Sequence, residues 1–264
     1  MSGSRSVPSL QRVVAAFLPG ILLCAYAYLS IGQLPQPLSY HEFVDRRVLL
    51  GIPHAGDVMS NFAFVLVGAF GLWFLSQSRL SARSFINRFE RWPFWGLFLG
   101  IFLTGFGSGW YHLQPDNDSL VWDRLPMALA FMSIFSVMIT ERINPSLGVA
   151  LLGPLVVMGA VSVLWWIWTE HQGHGDLRWY LLVQFYPLIT MILMLLLLPT
   201  PYTRGGDYLG LIVFYVAAKA AEVLDYQIFE LTRGLISGHT LKHLLAALGA
   251  AWLLRMLWRR QPTR

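Results

Sequence analysis

The stretch GSGWYHLQPDNDSLVWDRLPM, residues 107–127, sets polar and ionisable side chains between two strongly apolar runs. The runs cover approximately residues 92–111 and 120–140. Each is long enough to cross about 30 Å of hydrocarbon as a helix of about 20 residues. The stretch therefore predicts two transmembrane helices joined by a short loop, with the polar groups gathered at one membrane face.

Six further apolar stretches extend this pattern along the chain. They cover approximately residues 12–31, 57–76, 147–168, 179–199, 207–225 and 238–258. The 264 residues are 56% hydrophobic and 12% charged, and the mean hydropathy is +0.55, which is too apolar for a soluble domain of this length. The runs are continuous and lack the two-residue alternation of barrel strands. We predict an all-α integral membrane protein with eight transmembrane helices.

The arginines are distributed unevenly between the two sides of this topology. Twelve fall on one side, namely Arg5, Arg12, Arg79, Arg83, Arg88, Arg91, Arg142, Arg204, Arg255, Arg259, Arg260 and Arg264. Only Arg46, Arg47, Arg178 and Arg233 fall on the other side. The positive-inside rule then makes both termini cytoplasmic and turns the loops near 32–56, 112–119, 169–178 and 226–237 outward. The net charge of +5 reflects this topology, and nothing else indicates nucleic-acid binding.

The first apolar stretch has a second interpretation. Arg5 and Arg12 precede an apolar core, and Ala25-Tyr-Ala27 is a weak cleavage site, as in a signal peptide. Cleavage would leave seven helices without changing the side that the later loops face. Cys24, the only cysteine, excludes an intrachain disulfide, so a metal site must use histidines and carboxylates.

Two clusters of candidate functional residues lie at the outward helix ends. Ser108 and His112 are four residues apart, so they share one face of a helix, and Asp123 opens the next span. His239 and His243 have the same spacing and open the last span. A lone membrane histidine commonly bonds to a carbonyl or to a neighbouring helix. Because the two clusters lie at the same depth in the membrane, they favour one site formed by residues of both.

Three imidazoles supply three of the four positions around a tetrahedral zinc ion and leave one for water. Zinc lowers the pKa of such a water toward about 7. In this hypothesis Asp123 acts as the general base, and Ser108 donates a hydrogen bond to the oxygen that becomes negative.

At these residues the sequence resembles the alkaline ceramidase family, part of a superfamily of seven-helix membrane hydrolases that includes adiponectin-receptor-like proteins. The resemblance spans roughly residues 40–258. It is carried by SNFAFVLVGAFG (60–71), GSGWYH (107–112), DRLPM (123–127) and HTLKH (239–243).

The resemblance implies a zinc-dependent amide hydrolase that cleaves ceramide, or a related N-acyl lipid taken from the bilayer, into an amine and a fatty acid. The implied zinc ligands are His112, His239 and His243, and the implied catalytic residues are Ser108 and Asp123. It also divides the chain into an extra N-terminal transmembrane helix (1–35) and a seven-helix hydrolase domain (36–264).

The sequence departs from the animal ceramidases at several positions. Arg124 stands where they have glutamate, and Lys242 stands where they have an aromatic residue. The family also binds calcium through acidic residues ahead of its first helix. Carboxylates remain here at Glu42, Asp45 and Asp57, whereas Tyr40, Phe43 and His54 occupy positions where carboxylates are expected. The resemblance therefore supports Zn²⁺ more than Ca²⁺.

The extra helix and the preference for arginine resemble a bacterial relative. We therefore expect a bacterial inner-membrane protein whose site faces the periplasm. Two other functions remain open: a receptor or regulatory protein in which zinc is structural, and an ion or proton transporter that uses histidine and aspartate as relay groups. The concentration of polar residues at one face, without paired broken helices, disfavours transport.

Other polar and aromatic groups have simpler explanations. Lys219 and Glu222 are three residues apart and are expected to form an ion pair along one helix face. Trp165, Trp166 and Trp168 are expected to form an interfacial aromatic belt.

Overall fold

In the computed structural model, which describes residues 8–263, the chain forms a bundle of α-helices. The helices are α1 (Leu10–Ser30), α2 (Ala55–Ser60), α3 (Phe62–Ser76), α4 (Ser78–Ser81), α5 (Trp92–Leu113), α6 (Asn117–Arg142), α7 (Pro145–His171), α8 (Arg178–Leu197), α9 (Tyr208–Val223), α10 (Asp225–Leu231) and α11 (Gly238–Arg259). Short 3₁₀ helices cover Leu38–His41, Ala82–Ser84 and Arg88–Arg91. Within residues 8–263 there is no β-strand, only two isolated bridges.

Six segments are long and apolar enough to cross a membrane: α1, α2 with α3, α6, α7, α8 and α11. The prediction of an all-α membrane protein is therefore confirmed. The two other predicted stretches also form helices, α5 with 22 residues and α9 with 16. They are not among the six, so the count of eight spans stays a prediction. Arg5 and Arg264, used in the topology argument, lie outside the described residues.

Capping side chains set the starts of α6 and α11, and the start of α6 lies three residues before the one that hydropathy predicts. Helix α6 begins at Asn117, before its apolar run, because the Asp116 carboxylate accepts a hydrogen bond of 2.6 Å from the Ser119 amide. In the same way, the Ser237 hydroxyl accepts a bond of 2.8 Å from the Thr240 amide at the start of α11. The predicted single span over 57–76 is instead two helices, which meet at Asn61.

Glycines allow α5 and α6 to pack very closely. A Cβ atom on Gly107 would lie 1.9 Å from the Trp122 carbonyl oxygen, and one on Gly100 would lie 2.7 Å from the Ala130 amide nitrogen. Small residues permit such approaches between membrane helices, whose association depends on packing more than on the hydrophobic effect. The contact brings the last turn of α5 beside the first turns of α6, where the candidate residues lie.

Helix α1 lies on the outside of the bundle and packs on α8. Its large apolar side chains point mainly away from the protein, as Leu22 and Leu29 do with exposed fractions of 60% and 84%. At the opposite end of the bundle from His112, two arginines are buried rather than solvated. Arg260 pairs with Glu141, and Arg142 donates to the Leu198 carbonyl, so these residues also hold helix ends together.

Candidate metal centre

His112, His239 and His243 meet in the interior of the bundle. Their ring centroids are 4.7, 5.0 and 4.8 Å apart, and one nitrogen from each ring lies within 4.8 Å of the others. All three side chains are buried. Among residues 8–263 this is the one cluster of three or more histidine, cysteine or acidic side chains close enough to hold a metal ion. The structure thus joins the two clusters that the sequence placed at separate helix ends.

The geometry of the nitrogens suits a tetrahedral metal ion. Nε2 of His112 lies 3.2 Å from Nε2 of His239, and metal–nitrogen bonds of about 2.0–2.1 Å at tetrahedral angles place nitrogens about 3.3–3.4 Å apart. Nδ1 of His112 is buried and has no hydrogen-bond partner in the described part of the chain. Within the described part of the chain, the only polar contact of the His112 ring is therefore the one with His239.

A serine hydroxyl orients His243. Oγ of Ser60 donates to the carbonyl oxygen of Asp57 at 3.0 Å and lies 2.8 Å from Nδ1 of His243. Because the hydroxyl has one proton and gives it to the carbonyl, it accepts the second bond from Nδ1–H of His243. This tautomer leaves the lone pair of Nε2 free toward the centre. Ser60 opens the motif at residues 60–71, but the sequence predicts no role for it.

A carboxylate network fixes the start of α11 against α2. Oδ1 of Asp57 accepts hydrogen bonds from the hydroxyls of Ser237 at 2.9 Å and Thr240 at 2.7 Å. The Asp225 carboxylate accepts a bond of 2.7 Å from the amide of His239. These contacts hold the first turn of α11, and with it both of its histidines, in one position.

Phe43 covers the histidines from the loop between α1 and α2. Its ring centroid lies 4.6 Å from that of His112 and 4.5 Å from that of His239, and the side chain is buried. By comparison with the animal ceramidases, Phe43 is only a position that lacks the expected carboxylate. Its aromatic ring instead closes one side of the centre against solvent.

The acidic residues of this loop and of α2 do not form a cluster that could hold a metal ion. Asp45 is buried and pairs with Arg47 at 2.7 Å, and it also accepts a bond from the Gly56 amide. Burial raises the pKa of Asp45, but the hydrogen bonds and charge of Arg47 outweigh burial and bring the pKa below its ordinary value. Glu42 is exposed, and Asp57 faces α11. Their arrangement gives no support to a calcium site.

Ser108 and Asp123, the two predicted catalytic residues, are both buried. Together with His243 they line the polar end of a cavity of about 380 Å³. The rest of the lining is mainly apolar and includes Phe64, Leu97, Ile101, Ile134, Leu211 and Leu253. A nucleophile or base at this end would meet the polar part of a molecule whose chain occupies the apolar part.

The other polar predictions have mixed outcomes. The predicted ion pair between Lys219 and Glu222 is confirmed, with a distance of 2.6 Å between the charged atoms. Glu222 also forms an ion pair of 3.1 Å with Lys242, which the sequence did not predict. His171 binds the exposed Asp118 at 2.8 Å, away from the cavity.

The prediction of an aromatic belt is wrong for Trp166. Trp165 and Trp168 are 40% and 51% exposed, but Trp166 is fully buried. Its indole N–H donates to the Glu170 carboxylate at 3.0 Å, and its ring lies against the Arg124 guanidinium. Three tryptophans within four positions cannot share one face of a helix, because successive residues are rotated by about 100°.

Comparison with protein-family models gives no match to this sequence, and comparison with curated proteins gives none either. The resemblance to alkaline ceramidases therefore depends on the quoted motifs and their spacing.

Proposed function

We propose that this protein is a zinc-dependent membrane hydrolase that cleaves the amide bond of ceramide or a related N-acyl lipid. One observation carries the proposal: three buried imidazoles converge within 4.8 Å of one another, and one of them, His243, lines a cavity together with the buried Ser108 and Asp123. The rest of the lining of this cavity is mainly apolar. An ester lipid is the nearest chemical variant of this substrate.

The donor set fits zinc. Three neutral imidazoles with no thiolate and no carboxylate are the ligands of catalytic zinc sites that keep a fourth position open. When bound, zinc would supply a Lewis acid and lower the pKa of a coordinated water toward about 7.

The chain's own residues provide the remaining chemistry. Asp123 is placed to accept a proton from the attacking water and to return it to the leaving amine. Ser108 is placed to donate its hydroxyl proton in a hydrogen bond to the substrate oxygen that becomes negative. Both side chains line the same cavity, so both can meet one bound substrate.

The cavity matches a lipid substrate. Its apolar walls would bury an acyl chain between the helices, while the polar linkage would reach His243. A molecule that enters from the bilayer would keep its chain in an apolar environment throughout.

The arginine distribution supports an orientation for the site. The histidine end of the bundle lies opposite the helix ends that carry most of the arginines, among them Arg79, Arg88 and Arg255. With these arginines in the cytoplasm, we propose a multi-pass protein of a bacterial inner membrane whose site faces the periplasm.

Metal analysis of the purified protein tests the proposal first. We expect about one zinc ion per chain, and His112→Ala and His243→Ala should each lose it. His171→Ala is the matched control, because this histidine is exposed and bonded to Asp118. A full zinc content in all three variants would show that the ion binds elsewhere.

Hydrolysis of ceramides and other N-acyl lipids, measured with and without a chelator, tests whether the protein cleaves amides with a metal ion. We expect release of free fatty acid that the chelator stops and added zinc restores. Activity in zinc-free protein would contradict the metal mechanism. Bound zinc with no cleavage of any lipid would favour a structural metal in a receptor.

A further inference from the structure

The polar end of the cavity carries more positive than negative charge. Its charged lining residues are three cations, Arg124, Lys219 and Lys242, and two carboxylates, Asp123 and Glu222. Glu222 binds both lysines, at 2.6 and 3.1 Å. One carboxylate thus serves two ammonium groups, and Arg124 lies outside this cluster.

Arg124 is buried without a carboxylate partner among residues 8–263. Its side chain is 5% exposed; Nη2 donates to Oε1 of Gln36, but Nη1 has no hydrogen-bond partner in the described part of the chain. The guanidinium carbon lies 4.1 Å from the ring centroid of Trp166 and 4.8 Å from that of Tyr180. The aromatic faces stabilise the cation and fix its plane. They leave the buried Nη1 donor unsatisfied, which is unfavourable unless a ligand accepts the bond.

Arg124, which carries this unsatisfied donor, and Asp123, the proposed base, line the same cavity. Arg124 directly follows Asp123 in α6. If an acyl chain fills the apolar part, the amide lies at Asp123 and the amine half lies at the polar end. The group that Arg124 meets is therefore on the amine half of the substrate.

We propose that the cavity selects N-acyl lipids whose amine half carries a carboxylate, that is N-acyl amino acids, and that Arg124 binds this carboxylate. The proposal rests on the hydrolase function proposed above. The planar guanidinium fork matches a carboxylate. The positive charge of Lys219 and Lys242 offsets the repulsion between the substrate carboxylate and Asp123.

The reaction balances as a hydrolysis. Water supplies the oxygen that bonds to the acyl carbon, the amide C–N bond breaks, and the protons of water end on the leaving amine and the new carboxyl group. The products are a fatty acid and a free amino acid, with no further reactant.

Two matched substrates test the selection directly. N-oleoylglycine and N-oleoylglycinamide differ only in a carboxylate against a carboxamide. We expect kcat/KM to be about 10- to 100-fold higher for N-oleoylglycine, the factor of one charge-assisted hydrogen bond. Faster cleavage of N-oleoyl-O-phosphoethanolamine than of N-oleoylglycine would overturn the carboxylate assignment in favour of a phosphate.

Substitutions test the assignment to Arg124. Arg124→Gln should bring the ratio of the two kcat/KM values close to one, and Arg124→Lys, which keeps the charge without the fork, should give an intermediate ratio. Arg178→Gln is the matched control, because this arginine pairs with Asp176 and does not line the cavity. Zinc content and thermal unfolding check that each variant folds. A wild-type ratio in folded Arg124→Gln would overturn the assignment.

A binding measurement distinguishes failure of the carboxylate selection from failure of the hydrolase function. If the wild type cleaves both glycine lipids equally, the hydrolase stands and the selection is wrong. If no amide is cleaved, the hydrolase proposal fails, and the binding of radiolabelled N-oleoylglycine to the wild type decides the selection. We expect it to bind at least about 10-fold more tightly than N-oleoylglycinamide, and equal binding would refute the role of Arg124.

Discussion

A single hydroxyl group sets the protonation of one imidazole in the centre. Ser60 accepts its bond from Nδ1 of His243 because its own proton goes to the Asp57 carbonyl. Outer contacts of this kind orient metal ligands and raise their basicity. Ser60 and His243 are 183 positions apart, so no local spacing rule connects them. The histidine pair itself was predictable, because its members are four residues apart on one helix.

Ser60→Ala should weaken zinc binding by about 10- to 100-fold. The imidazole of His243 would lose the bond that selects its tautomer, although all three ligands remain. Competition with a chromophoric chelator measures the affinity. Ser133→Ala is the control, since this buried hydroxyl in α6 has no hydrogen-bond partner in the described part of the chain. Equal affinities in the two variants would contradict a role for Ser60.

Asp123→Asn and Ser108→Ala should keep zinc and lose turnover. Removal of a general base costs about 10²- to 10⁴-fold in rate, and removal of an oxyanion donor costs about 10²- to 10³-fold. Hydrolysis of an N-acyl lipid, measured together with zinc content, separates loss of chemistry from loss of metal. Asp118→Asn, an exposed carboxylate of the same helix, should keep wild-type turnover. Full activity in Asp123→Asn would show that another group is the base.

At the scale of helices, apolar runs and capping residues determine most of the architecture. Long apolar runs predicted every long helix to within a few residues, because the cost of burying free backbone groups in lipid leaves few alternatives to a helix. Hydropathy could not show the boundary at Asn61, since apolar residues continue on both sides of it. Nor could it show that Trp166 faces inward, because composition gives burial only as an average along a helix.

Gly107→Ala should destabilise the protein by about 1–3 kcal/mol, the usual cost of overpacking. The added methyl group would lie 1.9 Å from the Trp122 carbonyl oxygen, so α5 and α6 would have to separate. Asp123 directly follows Trp122, and turnover should therefore fall as well. The measurement is thermal unfolding of the purified protein in detergent.

Gly153→Ala provides the control for this effect. Gly153 lies within α7, and a Cβ atom there would meet no atom within 4 Å. Its unfolding temperature should stay the same or rise slightly, because alanine favours a helix over glycine. Equal losses in both variants would mean that helix propensity, rather than the contact between α5 and α6, sets the stability.

Over the whole molecule, the helix directions place chemistry and basic charge at opposite ends. Helix α5 ends at the histidine cluster and α11 begins there, while the arginines of α4, of the 3₁₀ turns and of the end of α11 lie at the other end. Spacing and charge asymmetry were enough to predict this division. They could not reveal the cavity or the unpaired Arg124, since these arise from the packing of helices that are distant in sequence.

This division predicts which loops a membrane-impermeant reagent can reach in intact cells. With Cys24→Ala as background, which removes the only native cysteine, Gln172→Cys reports on the exposed loop between α7 and α8, and Arg83→Cys reports on the exposed basic linker. Because arginine-rich segments stay in the cytoplasm, a charged maleimide should label position 172 in intact cells. It should label position 83 only after the membrane is permeabilised. The reverse pattern would place the histidine centre on the cytoplasmic side, and the proposed lipid substrate would then have to come from the cytoplasmic leaflet.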